Sequence, residues 1–169
     1  MIDHTIKNIL DRKNISINNN LFSHGPCLYL PDRLAVTHAF SVRKMPPEIY
    51  ETLIDQGFRR NGFYFYQNIC PSCKACIPIR VDVKRFRPSK SQRRVLRKNQ
   101  DVRIRRHRVG FDHEGCLLYQ KYCAARHDSV EKKENYRGFL IESAIPTTEM
   151  MRYYVGKELM AIGWIDVLP

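Results

Sequence analysis

A chain of 169 residues, 43% hydrophobic and 27% charged, has a globular composition and enough apolar side chains to bury a core. No run of about 18 apolar residues occurs, which excludes a membrane helix, and the opening Met1-Ile2-Asp3-His4-Thr5 lacks a signal-peptide pattern, so a cytoplasmic protein is expected. The 29 Lys and Arg exceed the 17 Asp and Glu by 12, which makes a polyanion the first expected partner.

Residues 1–20 form a polar, Asn-rich segment. Leu34, Val36, His38, Phe40 and Val42 alternate onto one face and predict a strand. Pro46-Pro47 opens a helix carried by Ile49, Tyr50, Leu53 and Ile54 and closed by Gly57. Phe63–Tyr66 and Ile77–Val83 read as strands on either side of a cysteine cluster. Ser89 or Ser91 then caps a helix that runs to about Asn99. Its Lys90, Arg93, Arg94, Arg97 and Lys98 share one face, and like charges so spaced destabilise a helix unless something outside the chain offsets them. Val102–Val109 alternates as a strand, Gly115–His127 reads as a longer helix and Tyr136–Ile145 as a third. A hairpin ends the chain: Met150–Val155, a turn at Gly156-Lys157, and Leu159–Leu168, apolar enough for a strand buried on both faces. These elements predict an α+β protein. Its expected divisions are the polar segment 1–20, a cysteine-bearing domain 21–88, and a basic helix with a following domain over 89–169.

The charge is local. From Arg80 to Arg108, 13 Lys and Arg face only Asp82 and Asp101, so this segment holds +11 and the rest of the chain +1. A solvated helix face does not need such concentration, so Arg80, Lys84, Arg85, Arg87, Lys90, Arg93, Arg94, Arg97 and Lys98 are the candidate phosphate contacts. Phe63–Tyr66 could stack on single-stranded bases, although aromatics in a strand more often fill a core.

Of six cysteines, Cys70, Cys73 and Cys76 follow a C-x2-C-x2-C spacing. Three such thiolates can hold one side of a zinc ion or an iron–sulfur cluster, with Cys27 or Cys116 as a fourth ligand. Small thiols packed at a turn are the plain alternative, and Lys74 beside them favours thiolate character in either case. On the longer helix, Tyr119, Tyr122 and Arg126 lie to one side with His127 at the end. His127 is a candidate general base or simply a cation that complements the helix dipole. The chain carries no Gly-rich phosphate loop, no Ser-His-Asp set and no HExxH motif, and His4, His24, His38, His107 and His113 have no ligand spacing.

Several stretches together resemble one family. Gly25-Pro26-Cys27-Leu28-Tyr29-Leu30, Gly57-Phe58-Arg59-Arg60-Asn61-Gly62, Cys70 to Arg80 and Phe86-Arg87-Pro88-Ser89-Lys90-Ser91-Gln92-Arg93-Arg94 are similar to the N-terminal region of the aminoacyl-tRNA–protein transferases. Gly156-Lys157 through Asp166-Val167-Leu168-Pro169 is similar to the start of their acyltransferase half, and Cys70–Arg80 looks most like the bacterial aspartate/glutamate leucyltransferases.

The resemblance implies an enzyme that moves leucine from leucyl-tRNA to the N-terminal Asp or Glu of a protein. The modified protein is thereby marked for degradation by the N-degron pathway. It also implies an N-acetyltransferase-like mixed sheet with helices in the second half, here lacking the C-terminal part. The transfer itself requires no cofactor, and an iron–sulfur cluster in relatives is carried over to Cys27, Cys70, Cys73 and Cys76. An arginyltransferase of the same chemistry and a non-catalytic, metal-binding RNA-binding module are the alternatives. Tyr119, Tyr122, Arg126 and His127 are the catalytic candidates.

Overall fold

A computed structural model of the protein describes residues 8, 10–12 and 20–169, so most of the expected polar segment 1–20 lies outside the described residues. The chain forms two compact units, each drawn from separate stretches of sequence. One comprises 1–77, 137–148 and 166–169, and the other 78–136 and 149–165, so the expected division at residue 88 falls inside the second.

The first unit is built on an antiparallel sheet of β1 (Asn20–Pro26), β2 (Leu34–Ser41), β3 (Arg59–Asn61) and β4 (Tyr64–Asn68), in the order β1-β2-β4-β3. Register pairs Phe40 with Phe65, whose rings stack at 5.4 Å between centroids. Helix α1 (Pro47–Asp55) lays Ile49, Tyr50 and Leu53 on this face, and Tyr50 meets Phe65 edge-on at 5.3 Å. Leu10, Met45, Phe58, Ala144 and Ile145 complete the core. Pro47 starts α1 without needing an N–H partner. Gly57, at φ 85°, ends it as predicted, letting Phe58 N–H reach back to the Leu53 carbonyl at 2.9 Å.

Strand β1 has no counterpart in the sequence reading. Leu21 and Phe22 are both exposed on this edge strand, so the alternation that announces a half-buried strand is missing. The reverse happens at Ile77–Val83, where the expected strand does not form. Ile77, Ile79, Val81 and Val83 alternate but are all exposed, and among the described residues no strand pairs with this segment.

In the second unit, β5 (Val102–Arg108) pairs antiparallel with β6 (Thr148–Val155), from Val102 opposite Val155 to Arg108 opposite Glu149. A turn with Gly156 at φ 58° leads into β7 (Glu158–Asp166). In the order β5-β6-β7, β7 pairs with β6 alone among the described strands. Of its residues only Leu159 is buried, and Met160 is 52% exposed.

The capping box of Ser89 and Gln92 starts helix α2 (Lys90–Lys98), and Asp112 caps α3 (His113–His127) by accepting from Gly115 N–H at 2.6 Å. The third helix expected over Tyr136–Ile145 is displaced. Helix α4 (Lys133–Tyr136) runs into a π-helical turn, Arg137–Ile141. Ala144 and Ile145 leave the helix to enter the first core, where Met45 N–H reaches the Ala144 carbonyl at 2.9 Å. Among the described residues, no helix is long and apolar enough to cross a membrane.

Candidate functional site

All 13 cations between Arg80 and Arg108 are exposed, and none of the nine side chains of α2 is buried. Lys90, Arg93, Arg94, Arg97 and Lys98 form one stripe along this helix, with no acidic residue in its first turn. Arg80, Lys84, Arg85 and Arg87 precede it in an exposed, irregular segment, where Arg87 donates to the Lys84 and Phe86 carbonyls. Strand β5 adds Arg103, Arg105, Arg106 and Arg108. Arg106 is paired with Glu149 and Arg105 lies 5.3 Å from the Tyr154 ring centre, so these two are less free to meet an external anion. Phe63–Tyr66 is not a stacking platform as a whole, because Phe65 is fully buried and Tyr64 alone is exposed.

The cysteines fall into two groups. Cys116 and Cys123 are buried on α3 and act as small apolar side chains. Cys27, Cys70, Cys73 and Cys76 line one cavity of about 440 Å³ in the first unit, together with Arg33 and Arg59. The four cysteines carried over as ligand candidates thus share one cavity. Among the described residues no three Cys, His, Asp or Glu side chains stand close enough to share a metal. Cys70 is engaged elsewhere: its sulfur accepts from Val36 N–H at 3.4 Å and its S–H is 3.7 Å from the Val36 carbonyl.

The four catalytic candidates do not converge on α3. Tyr119 packs inward, 5.5 Å from the Tyr136 ring, and burial followed by a hydrogen bond with Cys123 pushes its hydroxyl up to about 12. That group stays protonated near neutrality and is unsuited to take a proton. Tyr122 is exposed and meets His127 edge-on at 5.5 Å, while Arg126 and His127 are exposed in the last turn. Those two cations complement the helix dipole.

A partly buried polar cluster that the sequence did not announce lies at the start of α3. Asp112 Oδ1 takes both Gly115 N–H and, at 3.0 Å, Arg152, which also donates to Glu114 at 2.6 Å. Beside them Asp112 Oδ2, Tyr136 OH, Arg152 Nε and Trp164 Nε1 are buried with no hydrogen-bond partner. Tyr136 is fully buried, and its hydroxyl is pushed upward first by that burial and then by Asp112 and Cys116. The only sequence signal was an Asp three residues before a Gly at a helix start. Gly115 is needed here: a Cβ would stand 2.6 Å from Ile162 Cδ1 and 2.7 Å from both Asp112 Oδ2 and Tyr136 OH. Gly115→Ala is therefore expected to cost about 1–3 kcal/mol. Adding Tyr136→Phe should recover part of the loss by removing one clashing, unpartnered atom. Urea unfolding of the single and double variants measures both effects, and strict additivity would contradict the shared contact.

Comparison with known proteins ties these features together. The family model for the N terminus of arginine-tRNA-protein transferase matches residues 25–94, and the model for its C terminus matches residues 114–169. Both parts of one family thus appear in order across most of the chain. The chain belongs to the arginine-tRNA-protein transferase family. Within this family it is similar to proteins named aspartate/glutamate leucyltransferase. One from Pseudomonas savastanoi pv. phaseolicola is 34% identical over 148 residues, covering 85% of this chain and 63% of the relative. Another from Marinobacter nauticus is 35% identical over 147 residues, covering 84% of this chain and 62% of the relative. The chain thus spans less than two thirds of the length of these transferases. The N-terminal family match includes the whole cysteine cavity and enters α2 as far as Arg94, and the C-terminal match begins at Glu114 and runs through β7.

Proposed function

We propose that this chain binds an aminoacyl-tRNA along its cationic segment and serves the transfer of leucine from leucyl-tRNA to the N-terminal Asp or Glu of a protein. The product would enter degradation through the N-degron pathway. The observation that carries this reading is the exposed +11 of Arg80–Arg108 in a chain whose relatives are named leucyltransferases. Exposed cations on a helix with no buried side chain give affinity and a fast encounter with phosphates without reading bases. In the transfer, the neutral acceptor amine attacks the ester carbonyl, a C–N bond forms, the bond to the ribose oxygen breaks, and the proton lost by the amine ends on that oxygen as the ribose hydroxyl. The protein's part is chiefly to hold the two reactants together and to exclude wrong ones.

A second reading, transfer of arginine, is favoured only by the description of the matching family model. Supplying the purified chain with labelled leucyl-tRNA and a peptide beginning with Asp, then with arginyl-tRNA, separates the two. Leucine incorporation into the peptide is expected. Tight tRNA binding with no transfer of either amino acid would instead make the chain an RNA-binding module.

A further inference from the structure

We propose that the cysteine-lined cavity receives the acidic side chain of the acceptor protein, with Arg33 and Arg59 as the groups that recognise its carboxylate; this rests on the leucyl-transfer reading above. The cavity holds about 440 Å³, room for one residue's side chain and its adjoining backbone. Arg33 and Arg59 are among its lining residues and no Asp or Glu is, while the other polar residues that line it are Asn68, Tyr29 and the cysteines. Leu34 and Ile77 give an apolar wall for the methylenes of Asp or Glu. The charge of this site is therefore complementary to a single small anion.

The local chain geometry holds one of these arginines in place. Cys27 N–H donates to the Arg33 carbonyl at 2.8 Å, and Arg33 N–H donates to the Leu30 carbonyl at 2.9 Å, closing the turn that carries Arg33. Ser72, at φ 54°, bends the cysteine loop so that its carbonyl accepts from Arg33 Nη1 at 3.1 Å. That bond uses one nitrogen of the fork. The other contact, to Asp32 at 3.8 Å, is an exposed pair of little strength that an incoming carboxylate can replace. Arg59 comes from β3, opposite Tyr66, so the two cations enter from independent elements of one unit. A carboxylate can accept from both guanidiniums, whereas the amide of an Asn side chain offers one oxygen and brings its own donors.

The thiols provide the readout. Cys73 and Cys76 line the cavity, and Cys76 is exposed, so maleimide alkylation of the full chain followed by mass spectrometry reports on its occupancy. A peptide beginning with Asp should slow alkylation several-fold, and the same peptide beginning with Asn should not. Arg33→Gln and Arg59→Gln should abolish this protection while leaving alkylation without peptide, thermal unfolding and tRNA affinity unchanged. Equal protection by the Asp and Asn peptides would overturn the proposal. So would protection by inorganic phosphate or uncharged tRNA at the same concentration, which would assign the cavity to phosphate. One equivalent of zinc or iron held by these thiols in the purified protein would assign it to a metal. Loss of Asp-specific protection with tRNA binding intact counts against the cavity alone. Absence of tRNA binding counts against the transfer reading.

Discussion

Arg60→Ala is expected to cost about 3–5 kcal/mol of stability. Arg60 on β3 donates through Nε to Asp166 Oδ2 at 2.7 Å and through Nη2 to Asp166 Oδ1, with side chains only 11% and 16% exposed. Nη2 also reaches Thr148 Oγ1 at 3.0 Å, Nη1 reaches the Gly62 carbonyl at 3.2 Å, and Thr148 donates to Asp166 Oδ1 at 2.6 Å. The guanidinium thus ties Thr148 and Asp166 to β3, all three residues lying in the first unit. Removing it leaves a partly buried carboxylate with only hydroxyl support. Arg60→Lys should recover little, because an ammonium cannot reproduce the two-pronged geometry. Replacing both partners with apolar residues of similar volume should recover most of the loss, since it removes the desolvated charge as well. Urea unfolding at neutral pH measures all three. A loss below about 1 kcal/mol for Arg60→Ala would show that the pair behaves as an exposed one.

This link also shows where sequence reading stops. Arg60 and Asp166 are separated by 106 positions, and nothing local in either sequence points to the other. Elements defined by local chemistry were legible: the Ser89 cap, the Pro47 start and Gly57 stop of α1, and the Gly156 turn all reflect backbone requirements of a few residues. Elements defined by a distant partner were not. Ile77, Ile79, Val81 and Val83 carry a strand's alternation, but a strand also needs a neighbour to bond, and here the alternating side chains remain in solvent. The site divides in the same way. The cationic stripe is a property of one continuous segment and was visible at once. The cavity was visible only by its cysteines, because Arg33 and Arg59 come from a turn and a short strand that nothing in the sequence connects.

Replacing Arg93, Arg94, Arg97 and Lys98 together with Ala is expected to weaken tRNA binding by roughly a thousandfold at 0.15 M salt. Each cation that no longer meets a phosphate should lower the slope of log affinity against log salt by about 0.7–0.9, so four of them remove about 3 or more. The helix should survive the change, because none of its side chains is buried and the Ser89–Gln92 capping box lies outside the four positions. One local tie disappears, the 2.6 Å bond from Arg93 Nη1 to the Pro88 carbonyl. Against that, Ala is the best helix former and the substitution removes like-charge repulsion along the stripe, so thermal stability should hold or rise slightly. Arg106→Ala is the matched control: it removes one cation from the same segment, but one already paired with Glu149, and should change the salt slope less than any single replacement on α2. Filter binding of radiolabelled tRNA at several salt concentrations measures each slope. An unchanged slope in the fourfold variant would mean that the α2 stripe faces something other than phosphate, and the tRNA would then have to be held by Arg80–Arg87 or by β5.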